Sequence, residues 1–79
     1  MLGPYETSIE ALLKKSFSTD TVSVIDKSGG CGQSFQVIVR SNVFTGLSKI
    51  KQHRMVQEVL KEEVRKWHAI SLDTGPQES

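Results

Sequence analysis

Apolar residues recur along this chain with a spacing that changes from one stretch to the next. Ile9, Leu12, Leu13 and Phe17 fall on one face of a helix. Thr7 and Glu10 form the T-x-x-E pattern in which each side chain satisfies the other's free amide at a helix start. Lys14 and Lys15 put cations near the carboxyl end, where they suit the dipole. A helix over 8–17 is predicted, followed by a turn over 18–20.

The period then shortens. The stretch 21–27 is β-branched and apolar, and 34–41 alternates Phe35, Val37 and Val39 against Gln36, Ile38 and Arg40. Both read as strands. Ser28-Gly29-Gly30-Cys31-Gly32 between them is too glycine-rich for regular structure and suits a hairpin loop. Ser41-Asn42 and Gly46 punctuate the next connection. Val56, Val59, Leu60, Val64 and Trp67 share a helical face flanked by Met55, which predicts a second helix over 48–66. Glu62 and Lys66 form an i, i+4 pair on its outer side. Ala69 to Leu72 reads as a short third strand, with a polar tail from about residue 74.

The order helix, strand, strand, helix, strand predicts a two-layer α+β domain. A hairpin plus one added strand makes a three-stranded sheet, and both helices cover its apolar face. Residues 1–79 form one domain in this reading, without repeats or linkers.

Composition narrows the function. With 79 residues, 37% of them apolar and only one Trp, one Tyr and three Phe, the core is thin and function is expected on the surface. Net charge is +1, so the global footprint of a nucleic-acid binder is absent, although Arg40, Lys49, Lys51 and Arg54 lie close together. One cysteine excludes an internal disulfide and suits a reducing compartment. No run approaches the roughly 20 apolar residues of a membrane span. Met1 to Glu6 carries neither a signal pattern nor an Arg-rich presequence, so a cytoplasmic location is expected, or a mitochondrial one if a presequence precedes it.

Three side chains suit a borderline or soft metal: Cys31, His53 and His68. Their spacing matches no self-sufficient site. The glycines around Cys31 free the backbone to approach a ligand; the alternative is a small, partly buried hydrophobe in a turn, although a glycine-rich loop offers little to bury it against. By spacing alone His68 reads first as a helix-terminal or sheet-face histidine, and His53 as a packed one beside Val56 and Leu60. No phosphate loop is present, and a Cys–His pair without a cleft or oxyanion hole does not make a hydrolase. An enzyme is not expected.

Three stretches nevertheless resemble the BolA family in order along nearly the whole chain. They are the 28–32 loop, Phe44-Thr45-Gly46 to Gln52-His53-Arg54-Met55-Val56, and Glu62-Glu63-Val64 to Trp67-His68-Ala69-Ile70-Ser71. The middle one is similar to the family's F-x-G followed by R-H-R-x-V, with Gln52 where Arg is usual. The last is similar to its L-x-x-E-[LIM]-x-x-x-H-A-L run. The family's terminal T-P-x-x-W is not matched, because Thr74-Gly75-Pro76-Gln77-Glu78-Ser79 has no Trp.

The resemblance implies an αββαβ fold related to the type II KH domain. It implies a heterodimer with a monothiol glutaredoxin carrying Cys-Gly-Phe-Ser. A [2Fe–2S] cluster is then shared with the glutaredoxin cysteine and glutathione. The family's C-terminal histidine corresponds to His68, and the loop ligand of the cysteine-bearing subgroup to Cys31, with His53 a further candidate. Lys51 and Arg54 are candidates for docking the partner. The implied role is cluster assembly, transfer or iron regulation, with no cofactor in the isolated chain. The alternative is a KH-like nucleic-acid module using Lys49, Lys51 and Arg54. Its G-x-x-G spacing exists at Gly29 and Gly32, but between strands rather than helices.

Overall fold

Phe35, Val37 and Val39 alternate along the middle strand, and all three are buried. The structure, a computed structural model, describes residues 4–27 and 33–77. Its elements are α1 (Pro4–Phe17), β1 (Thr21–Asp26), β2 (Ser34–Arg40), a 3₁₀ turn (Asn42–Phe44), α2 (Lys49–Val59), α3 (Lys61–Val64) and β3 (Ala69–Gly75). The sheet order is β1-β2-β3. β1 pairs antiparallel to β2, and β3 parallel to it with Ser34 opposite Ala69 and Arg40 opposite Gly75. This is the expected two-layer α+β arrangement. Ile9, Leu13, Phe17, Val56, Leu60 and Trp67 from the helical layer close over the row from β1 and β2.

α1 begins earlier than the T-x-x-E pattern predicts. Pro4 starts it, consistent with a fixed φ and a missing N–H at the first helical position. Thr7 therefore lies inside the helix, and Glu10 does not fold back as a cap. The Glu10 carboxylate instead accepts the Val24 backbone N–H at 3.0 Å. β1 is an edge strand, and the carboxylate occupies a donor that would otherwise be open to pairing. At its other end α1 stops at Ser18, which adopts φ 51°, while the Thr19 N–H returns to the Lys14 carbonyl at 3.1 Å. The expected turn is thus a left-handed helix cap.

The predicted 48–66 helix is broken. Leu60 adopts φ −98° and ψ 11°, and its carbonyl accepts from both Glu63 and Val64 at 2.8 Å. The chain turns there so that Trp67 reaches Phe35, with ring centroids 4.6 Å apart. A tertiary contact overrides a locally continuous pattern. The tight turn also changes the surface pairing: Glu62 pairs with Arg65 and Glu63 with Lys66, both at i, i+3, rather than Glu62 with Lys66. β3 runs beyond Leu72, and Thr74 and Gly75, assigned to the polar tail by composition, are buried in it.

One polar side chain ties the far end of the sheet together. Gln52 is 4% exposed; its amide donates to the Leu47 carbonyl at 2.8 Å and the Phe44 carbonyl at 3.4 Å, and its oxygen accepts from Thr74 Oγ1 at 2.8 Å. Lys49 donates to the Thr74 carbonyl beside it. The Gln52→Ala variant takes from the buried Thr74 hydroxyl its acceptor and from the Leu47 carbonyl its amide donor, while the Phe44 carbonyl keeps the Leu47 N–H. The variant is expected to lose about 2–3 kcal/mol of stability. Urea unfolding should show a lower midpoint at unchanged slope.

Candidate functional site

His68 stands at the corner between α3 and β3. The Lys66 and Trp67 amides close the last turn onto Glu63 and Val64 at 2.9 and 3.1 Å, which ends the helical run. The next two amides, those of His68 and Ala69, both point to the Gln33 carbonyl, at 2.7 and 3.3 Å. The His68 backbone is therefore tied to the residue that enters β2. Its side chain is exposed. Because β2 and β3 are parallel and Ser34 faces Ala69, the segments entering both strands lie at one end of the sheet. Two peptide bonds link Gln33 to Cys31. Cys31 itself, with the glycine loop and its G-x-x-G spacing, lies outside the described residues.

His53 is not part of this corner. It is half-buried on α2 next to Gln52, whose side chain holds Thr74. Six residues of extended chain, about 20 Å, separate Thr74 from His68. Among the described residues no group of three or more His, Cys, Asp or Glu gathers around a metal position. A metal held here needs donors beyond those residues.

The basic cluster divides in the same way. Arg40 pairs with Asp73 at 2.8 Å across β2 and β3, and Lys49 holds the Thr74 carbonyl, so both serve the fold. Lys51 and Arg54 are exposed on α2. Arg54 borders a shallow groove with Ser16, Phe17, Met55, Glu58 and Val59. Reversing Lys49 would disturb β3 itself, which makes Lys51 and Arg54 the informative positions.

Behind His68 lies a network that spacing did not reveal. Trp67 Nε1 donates to the Tyr5 hydroxyl at 2.8 Å, and that hydroxyl donates to Glu63 Oε1 at 2.6 Å. Lys66 pairs with the other Glu63 oxygen at 3.3 Å. Burial, and then the hydrogen bond to Glu63, raise the Tyr5 hydroxyl above its ordinary 10.0. The same bond, helped by Lys66, lowers Glu63 below its ordinary 4.5. Tyr5 and Trp67 are 62 positions apart, so no local pattern could have joined them. A buried indole that requires an acceptor was the only available signal.

The mixed three-stranded sheet covered on one face by helices, with an exposed histidine at the corner entering β3, defines a small two-layer α+β protein. The chain belongs to the BolA-like family, whose model, described as BolA-like protein, matches residues 13–78. It is 42% identical over 71 residues to an uncharacterized BolA-like protein of Schizosaccharomyces pombe, covering 90% of this chain and 61% of that one. It is 38% identical over 73 residues to BolA-like protein 3 of Saccharomyces cerevisiae, covering 92% and 62%. The chain thus spans about six-tenths of the length of these curated relatives. Among solved structures, the BolA domain of SufE1 from Arabidopsis thaliana superimposes with a TM-score of 0.82 at 27% identity, covering 96% of this chain and 95% of that one.

The Tyr5–Glu63 pair carries a pH dependence with two limbs. Glu63 is depressed when folded, so its contribution is present above its ordinary value and fades as pH falls through the folded value. Tyr5 is raised, so its contribution is present below pH 10.0 and fades as pH rises through the folded value. Emission of the single Trp, Trp67, is expected to shift red in both directions from neutrality. Both limbs should flatten in Tyr5→Phe.

Proposed function

We propose that this chain is a non-enzymatic adaptor that docks on a monothiol glutaredoxin of the Cys-Gly-Phe-Ser type and completes a shared [2Fe–2S] cluster. The observation that supports this most is the exposed His68, whose amide is held 2.7 Å from the Gln33 carbonyl at the end of the sheet where the Cys31 loop is joined. In this reading His68 supplies an imidazole and Cys31 a thiolate. The partner's cysteine and glutathione supply the rest.

The donor chemistry suits that division. A [2Fe–2S] cluster takes four ligands, and imidazole in place of thiolate is an accepted variant. His68 and Cys31 are two of the four, which explains why the isolated chain is not expected to retain the cluster. Both must be deprotonated to bind, so occupancy follows pH and redox state. This favours a cluster that is transferred or sensed over one that is permanent. Lys51 and Arg54, exposed on α2, are assigned to docking.

Anaerobic reconstitution with a Cys-Gly-Phe-Ser glutaredoxin, glutathione, iron and sulfide tests the reading. The heterodimer is expected to show a visible circular dichroism spectrum distinct from that of the glutaredoxin alone. His68→Ala and Cys31→Ala should each alter it. A wild-type mixture without a complex, or a spectrum indifferent to both substitutions, would overturn the proposal. Separately, the Lys51→Glu, Arg54→Glu double variant is expected to weaken the heterodimer about tenfold at low salt, with a smaller difference at high salt. Calorimetric titration of the two proteins measures both.

A further inference from the structure

The Tyr5 hydroxyl joins two groups of the corner that carries His68, accepting from Trp67 Nε1 at 2.8 Å and donating to Glu63 Oε1 at 2.6 Å. Its ring lies 5.7 Å from that of Phe35 and 6.3 Å, edge-on, from that of Trp67. The first turn of α1, the start of β2 and the end of α3 therefore converge on the residue immediately before His68. Tyr5 also precedes the span 13–78 matched by the family model, so that model does not account for it.

His68 has an exposed side chain, so its presentation depends on its backbone. That backbone is restrained on one side by the hydrogen bond to the Gln33 carbonyl. On the other side Trp67, 8% exposed, is restrained by Tyr5 and Phe35. A short hydrogen bond onto a carboxylate is among the stronger kinds, and it fixes the hydroxyl that receives the indole N–H. Restraining a ligand-bearing peptide in advance removes ordering cost at the moment of binding.

We infer that Tyr5 and Glu63 are positioning residues for His68, locking the Trp67–His68 peptide so that the imidazole is presented to a metal at the end of the sheet. This inference rests on the ligand role proposed for His68 and adds to it a clamp supplied by α1. Tyr5→Phe keeps the ring and removes the hydroxyl. Glu63→Ala removes the acceptor, whereas Glu63→Gln keeps an acceptor oxygen and serves as the conservative rescue.

Two measurements decide it, both on the full chain. In the apo protein, hydrogen exchange of the His68 amide is expected to accelerate at least tenfold in Tyr5→Phe and Glu63→Ala, relative to the amides of β2. Glu63→Gln should stay within twofold of wild type. In the reconstituted glutaredoxin complex, Tyr5→Phe should move the visible circular dichroism toward that of His68→Ala, while the heterodimer still forms. Unchanged His68 exchange would overturn the clamp. Faster exchange with an unaltered cluster spectrum would overturn its link to the metal and leave a purely structural network. A wild-type complex without a cluster would overturn the ligand role first, and that failure appears in the control before any variant is compared.

Discussion

The burial of Phe35, Val37 and Val39 on one face of β2 is the constraint from which the rest of the molecule follows. β2 is paired on both sides, so its buried row lies at the middle of the layer that the helices cover, with Val22 and Val24 of β1 beside it. Each such residue contributes roughly 1.5–3 kcal/mol when removed from water. A slip of one residue would send all three to the solvated face. Register is therefore strongly specified. With it comes the pairing of Ser34 with Ala69, which brings the entry to β2 and the entry to β3 to the same end of the sheet.

Closing an apolar layer over this row also traps polar groups, and the molecule satisfies them by crossing between distant segments. Ser41 Oγ donates to the Phe17 carbonyl at 2.6 Å, and Thr19 Oγ1 to the Arg40 carbonyl at 2.6 Å, fastening the end of α1 to the end of β2. Gln52 and Lys49 do the same for α2 and β3. These bonds stabilise less by their own strength than by avoiding unpaired buried groups. Their concentration makes that end of the sheet the one that ties the two layers together. At the opposite end the polar network lies behind the surface, and His68 stands in front of it, exposed. The two ends thus differ: one carries the cross-links between the end of α1, α2 and the strand ends, the other an exposed histidine backed by the Tyr5 network.

This difference also sorts the basic residues. Arg40 and Lys49 belong to the cross-linked end, whereas Lys51 and Arg54 face outward on α2. A run of cations in sequence is therefore not one surface.

Alternation and helical spacing in the sequence were enough to identify the α1 face, the buried row of β2, the α2 face and the two-layer class, because these patterns record which residues water must not touch. The motif around His68 was legible too, as a string of residue types. Four features were not legible: the start of α1 at Pro4, the capture of Val24 by Glu10, the break at Leu60 and the meeting of Tyr5 with Trp67. The last three depend on contacts between segments far apart in the chain, where the gain from burying an aromatic ring or pairing a strand edge outweighs a weak local preference. The sequence by itself determined the periodicities, and with them the layers. Only the tertiary structure decided where each histidine lies, setting His53 beside Gln52 and Thr74 and His68 at the corner where β2 and β3 begin. Parallel strand register and helix direction are collective properties of the packed sheet, and no local spacing encodes them.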